Sequence, residues 1–478
     1  MDSGSFRQML TAPGIALAAV VTYAAYVVLL TLYRLFLHPL ASFPGPKLAA
    51  VTSWYEAYYE IILQGQYSKK IGELHDVYGP IVRVTPNEIH IRDSGFFEEF
   101  YAKNQQLDKH GWDSRFGTEG GVLTTVDAAL HKRRRAALSP MFSRRSIISL
   151  LHIIQRHIDT LSSRMDEFAS RKEPMNLTHA FPALTGDIIM DYFFGFNYGQ
   201  LKDPEFNSFH EAFMKIAGTG HLATQFPWIL PLMNAMPDSI TEYLQPAAAP
   251  ILKFRRDQWN LIGQTLRNEI KDQTDDVPKT IFQELLSSRL LPPSDKTHQR
   301  LADEAQIVVG GGVETTAFTL STAFYHIVSS PTSPTHSTPP FARNPRTRNE
   351  EFRYKEWMVP RGTNVSMTIP DVSHDEEVFP ESKEFRPERW LPLGEVRTAD
   401  GVPLERFLVC FGRGTRSCLG MNLAWTELYL TLGMMFRKYK FELYESDVGD
   451  VEIGHDFFIP VTRLDSKGVR AFVTATAD

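Results

Sequence analysis

The chain has 478 residues, 43% hydrophobic and 22% charged, with a net charge of −6. That composition is globular rather than disordered, and the length suits one large enzyme fold or several average domains. Scattered Lys and Arg without a basic stripe exclude a nucleic-acid surface, while two cysteines and no HExxH motif exclude a disulfide framework and the common zinc sites.

Residues 1–12 form a short tail. Pro13 to Tyr33 (PGIALAAVVTYAAYVVLLTLY) then runs 21 residues without a charge. As a helix it spans roughly 30 Å, the hydrocarbon thickness of a bilayer. A signal peptide and a buried core helix are the alternatives, but a signal peptide has a shorter apolar core and a basic start. A membrane anchor over 13–33 is the expectation. Arg7 precedes it and Arg34 and Lys47 follow, which leans towards a cytosolic body. Residues 34–50 contain HPLASFPGPKLAA, whose prolines cannot continue a helix, and read as a stiff elbow.

The body, 51–478, begins with an amphipathic helix over Val51–Gln64. Tyr78–Asp93 (YGPIVRVTPNEIHIRD) alternates apolar and polar residues between turn signals and predicts a hairpin. From Asp127 the pattern is mostly helical, broken near Gln225–Pro231 and Leu290–Asp295. After Val359 short strands alternate with turns. The expectation is one large, mainly α domain with small β-sheets.

Two stretches carry chemistry. Leu301–Val328 is a long apolar helix, yet it holds Gly310, Gly311 and Gly312 and then Glu314 and Thr315. Each helical glycine costs about 0.5–1 kcal/mol relative to alanine, and such penalties belong at functional sites. A dinucleotide loop is the rival reading of GGGVET, but its sixth position is Thr315 and no βαβ context is visible. The second stretch is Phe407–Gly420, FLVCFGRGTRSCLG, followed by a helical pattern. It places Cys418 where a loop enters a helix, whose N-terminal partial charge favours a thiolate. Gly414 and Gly420 permit tight turns and close approach to a flat ligand, and Arg416 can pair with an anionic group on it. A buried structural cysteine is the plain alternative. Cys410 reads as packing, with a Cys410–Cys418 bridge left open.

The pattern F-x-x-G-x-R-x-C-x-G, Phe411 to Gly420, resembles the haem-binding loop of the cytochrome P450 superfamily. GGVETT, Gly311–Thr316, resembles that family's oxygen-activating motif on its central helix. The resemblance implies haem b with Cys418 as axial thiolate ligand, Phe411 shielding the sulfur, and Arg416 on a haem propionate. HKRRR implies further propionate contacts from His131 and Arg135, and Arg346, ahead of VPRGT, one more. Glu314 and Thr315 would relay protons. FRPERW resembles the meander, with Arg389 in a salt-bridge network. The chain looks most like the fungal group that includes trichodiene oxygenase. That implies O2 and an apolar small molecule, a terpenoid or other secondary metabolite, as substrates. It also implies NADPH-cytochrome P450 reductase as electron donor, and a single-pass anchor in endoplasmic reticulum lipid with a cytosolic catalytic domain. NLT at Asn176 and NVS at Asn364 match glycosylation sequons by chance on that reading.

The resemblance has one gap. The family's Glu-x-x-Arg helix belongs between His326 and Arg346, where only the Pro/Ser/Thr-rich segment 329–347 lies. Glu350 and Arg353 spell the motif in strand-like context and are rejected. Arg389 is then expected to be a partly buried charge without its partner, costing about 3–5 kcal/mol. A sequence misread from its gene, a decaying gene and a working enzyme without the triad are the three explanations. The alternative function is an inactive membrane protein unable to hold haem. A related class on the same fold, which rearranges substrates without external electrons, is disfavoured by the Glu314–Thr315 pair.

Overall fold

The chain is described by a computed structural model at residues 12–102, 106–110, 116–267, 279–329, 345–348, 350–392 and 394–476. The segment 329–347, apart from its ends, and nearly all of the tail 1–12 lie outside these residues.

The N-terminal helix, Ala12–Leu32, runs into a π-helical turn, Tyr33–Leu37. Its apolar window is not buried against the protein at all. The elbow behind it is fastened to the body by Arg83, a fully buried side chain. Arg83 donates to the carbonyls of Arg34 at 2.9 Å and Pro86 at 2.8 Å, and its own backbone N–H to Pro44 O at 2.7 Å. Gly45 has φ +150°, and a Cβ there would fall 2.5 Å from Arg83 O, so the elbow presses glycine backbone directly on the first strand.

The predicted hairpin is present as Ile81–Thr85 and Glu88–Ile91. Its second strand pairs in parallel with Asn364–Ser366. That strand continues the sheet antiparallel through Arg346–Arg348 to Leu107–Lys109. This register sets Lys109 opposite Arg346. A second sheet joins Met175–Asn176, Arg470–Ala475 and Tyr439–Leu443. Glu350 precedes a separate hairpin, Phe352–Tyr354 with Trp357–Val359, that contains Arg353, so this pair is not the missing helix. Asn364 is buried in its strand and accepts from Thr347, which closes that sequon to modification.

The rest is helical around one long element, His298–Ser329. Leu301, Ala305, Val309, Val313, Ala317, Leu320 and Phe324 recur every three or four residues and form its core stripe. The stripe packs on helix Leu177–Phe194, where Thr185 Oγ1 donates to Val313 O at 3.0 Å. Gly312 lets this crossing close, since a Cβ there would meet Ile189 Cδ1 at 2.5 Å. Despite its apolar sequence, the helix is not buried all round. The turn at Gly311 and Thr315 faces an internal cavity instead.

Candidate active site

A cavity of about 810 Å³ lies between the central helix and the loop carrying Cys418. Phe116, Val122, Phe213, Ile216, Ile307 and Ile459 give it apolar walls, as a small-molecule pocket requires.

The thiol loop forms its floor. Gly412 N donates to Val409 O at 2.7 Å, and Cys418 N to Phe411 O at 2.7 Å, closing a tight turn ahead of helix Met421–Lys438. Gly414 has φ +73°, and a Cβ there would sit 1.8 Å from Tyr101 O. The expected close approach at Gly414 is therefore to the chain's own backbone rather than to a flat ligand. At Gly420 the nearest atom to a Cβ is Cys418 Sγ at 4.0 Å, so this glycine leaves the sulfur uncovered. Cys418 is enclosed by protein yet retains accessible surface, because it opens into the cavity. Both cysteines are free thiols. Burial raises the Cys418 pKa, and the Gly420 N–H and Arg135 only partly oppose it. The helix terminus does favour the thiolate through the Gly420 N–H, as expected, but burial outweighs it; a coordinated metal ion is what deprotonates such a thiol. Phe411 lines the same floor, its ring 5.7 Å from Trp425.

Beside the sulfur gathers a cationic cluster. Arg346, Arg416, Arg135 and Lys109 line the cavity together with the neutral imidazole of His131. Arg346 and Arg416 have pKa values pulled down by burial to about 10 and about 9, and His131 to about 2. Burial also holds the Lys109 amine well below its usual value, with Arg346 and Arg416 adding repulsion. Arg346 Nη1, Arg416 Nε and His131 Nδ1 are buried without a hydrogen-bond partner. Arg416 spends its other nitrogens on Thr125 O at 2.7 Å and Val126 O at 2.6 Å, tying the thiol loop to the segment before helix Ala128–Leu138. A desolvated cation cluster with unsatisfied donors is costly unless an anion enters. A flat ligand carrying two carboxylates and a thiolate-bound metal fits these residues. Of the HKRRR run, Arg134 turns away to a bidentate pair with Asp295 at 2.6–3.1 Å.

Opposite the floor, Thr315 Oγ1 donates to Gly311 O at 2.8 Å, and a Cβ at Gly311 would meet nothing within 4 Å. Glu314 lines the cavity and bonds His210 at 2.8 Å. Sequence reasoning missed Lys109, His210 and two acids at the start of the central helix. Asp303 Oδ2 accepts from Gly120 N at 2.8 Å and Glu304 Oε2 from Val122 N at 3.1 Å, pinning the loop that roofs the pocket. The adjacent acids of ADEAQ, leading into an apolar helix, were the available signal; Lys109 and His210 had none.

Arg389 is half-buried and donates to Pro380 O at 3.1 Å and Glu381 O at 2.9 Å. It is not left bare, so the penalty anticipated for an orphaned charge does not arise in full.

A thiol in the floor of an apolar chamber, beside buried cationic side chains with unpaired donors, is the arrangement a haem-thiolate protein requires. The cytochrome P450 family model matches residues 46–334 and 337–465, and the chain belongs to that family of monooxygenases. It is 39% identical to cytochrome P450 monooxygenase sdnE of Sordaria araneosa over 95% of this chain and 97% of that one. It is 37% identical to cytochrome P450 monooxygenase tpcC of Cochliobolus heterostrophus, over 94% and 95%. Tryptophan 6-hydroxylase fscE of Fusarium equiseti is 35% identical, over 93% and 94%. The family implies a cysteine-ligated haem, O2, a redox partner and a small-molecule substrate. The family match breaks between 334 and 337, inside the anomalous segment. The sdnE alignment runs over 503 positions but uses only 95% of a 478-residue chain, so some tens of its positions face no residue here.

Proposed function

We propose that residues 51–478 form the catalytic domain of a monooxygenase that inserts one O2-derived oxygen into an apolar small molecule, a terpenoid or comparable fungal secondary metabolite. Cys418 would hold haem b as its thiolate ligand, and the haem would supply the oxygen chemistry. Arg346, Arg135, His131, Lys109 and the free Nε of Arg416 hold its propionates. Phe411 covers the sulfur. The Phe and Ile walls bind substrate and exclude water, Gly311 leaves room for it, and Glu314 and Thr315 hold protons beside it. The observation that carries this reading is the buried cation cluster with unsatisfied donors next to Cys418.

NADPH-cytochrome P450 reductase is the proposed electron donor, at the endoplasmic reticulum membrane. The 13–33 anchor and 34–50 elbow would place the domain on the cytosolic face. Exposed Trp54, Tyr58 and Ile62, with Trp228, Leu232 and Tyr243, support a body resting on lipid, and the Trp54–Phe226 contact at 5.8 Å puts these two groups on one side.

A second reading is a chain that cannot retain haem. The cavity lining extends past the thiol loop to Phe385, Arg389 and Glu427. The absorption spectrum of the purified, reduced, carbon monoxide-treated chain separates the two. A strongly red-shifted Soret band, lost in C418S, is expected; no haem in the wild-type chain refutes the first reading.

A further inference from the structure

Glu314 has a side chain only 6% exposed, on an otherwise apolar turn. A buried carboxylate needs a bonded partner. That partner is His210, the first residue of helix His210–Gln225, whose Nδ1 lies 2.8 Å from Glu314 Oε2. The His210 side chain keeps 21% of its surface exposed, while Glu314 Oε1 meets no protein donor and Glu314 lines the cavity. The pair therefore bridges the protein exterior and the chamber.

The charges around it are few. The central helix contributes Glu314 alone. Helix Leu177–Phe194 contributes His179, its ring 6.0 Å from that of His210. Glu211 follows on the same helix, and Glu205 lies in the loop before it. Burial disfavours a charged His210, but Glu314 and then Glu211 outweigh it and raise its pKa. His179 moves the other way, lowered by burial and by His210. One imidazole of the pair is thus set to carry the proton.

We propose that His210 is the proton-loading residue for Glu314, holding the carboxylate in place and passing it protons from outside the protein. The inference rests on Glu314 serving proton delivery. In the step, the His210 Nδ1–H bond breaks and an O–H bond forms on Glu314 Oε2. The imidazolium becomes neutral imidazole and is reprotonated from solvent. The carboxyl gives up its proton on the cavity side, and no electrons move.

Two measurements test it. In the full chain labelled at histidine, the His210 imidazole, assigned by its loss in H210Q, is titrated by NMR. A midpoint above the ordinary value of about 6.5 is expected, falling below it in E314Q. Second, NADPH oxidation with a reductase and no added substrate is followed against pH, with hydrogen peroxide quantified. The flux reaching water should fall as pH rises through that midpoint. In H210Q, which keeps a donor but does not titrate, it should be pH-independent and lower by roughly 100-fold or more. H210N serves if H210Q folds poorly. A midpoint unmoved in E314Q, or a wild-type pH profile in H210Q, overturns the proposal. A chain without the carbon monoxide band overturns the haem reading instead, and the imidazole titration then decides the His210–Glu314 proton pair alone.

Discussion

Replacing Gly414 by alanine tests the geometry of the thiol loop. At φ +73° an L residue is strained by about 1–2 kcal/mol. The added methyl would also lie 1.8 Å from Tyr101 O, where real contacts stay beyond 3.0 Å. The obstacle is backbone, so it cannot rotate aside as a flexible side chain would. One strand of the contact must retreat by over 1 Å, at a cost typical of overpacking, about 1–3 kcal/mol. Together the two terms predict a loss of about 2–5 kcal/mol. The displaced segment carries Cys418 four residues on, so haem retention should fall with stability. Gly433, on the helix after the loop, is the control: nothing lies within 4 Å of its Cβ position, and G433A should stabilise by about 0.5–1 kcal/mol. Denaturant unfolding of the purified proteins, with the carbon monoxide spectrum recorded alongside, reads both. A G414A chain as stable as wild type and with a full thiolate-shifted band would refute the reasoning.

R346A should act in opposite directions on two observables. It removes a buried cation with an unsatisfied donor, so the haem-free chain should melt no lower than wild type. It also deletes a charge-assisted bond of about 1.5–3 kcal/mol, so haem affinity, read by transfer to apomyoglobin, should weaken roughly 10- to 100-fold. His75 predicts a pH dependence. Burial lowers its pKa to about 4, against 6.5 unfolded, so the unfolded chain binds more protons between those values. Stability should rise with pH from about 4 to 6.5, by about 3 kcal/mol at most, and H75Q should flatten that rise in urea titrations. Deleting residues 1–33 should move the chain from pelleted membranes towards the supernatant. Residual binding to vesicles should then depend on Trp54 and Trp228, and replacing both tryptophans by serine should abolish it.

How much was legible in the sequence depends on distance along the chain. The apolar N-terminal run, the Tyr78–Asp93 hairpin, the glycine-interrupted central helix and the thiol loop are all local patterns. Their signals come from periodicity, turn residues and fixed spacing, which neighbouring residues alone create. The break in the family pattern was equally visible, as a proline-rich stretch where a helix belongs.

Only the tertiary structure decided what surrounds these motifs. Lys109 joins Arg346 because two short strands distant in sequence pair in one register, and no local pattern encodes that partnership. His210 reaches Glu314 because two helices cross. Gly414 and Gly312 look alike in sequence, but one is forced by a carbonyl and the other by an isoleucine side chain. The net shift of the Cys418 pKa lay beyond the sequence for the same reason. A helix N-terminus is written in the local sequence, whereas burial is a property of everything packed around the sulfur, and here burial prevails.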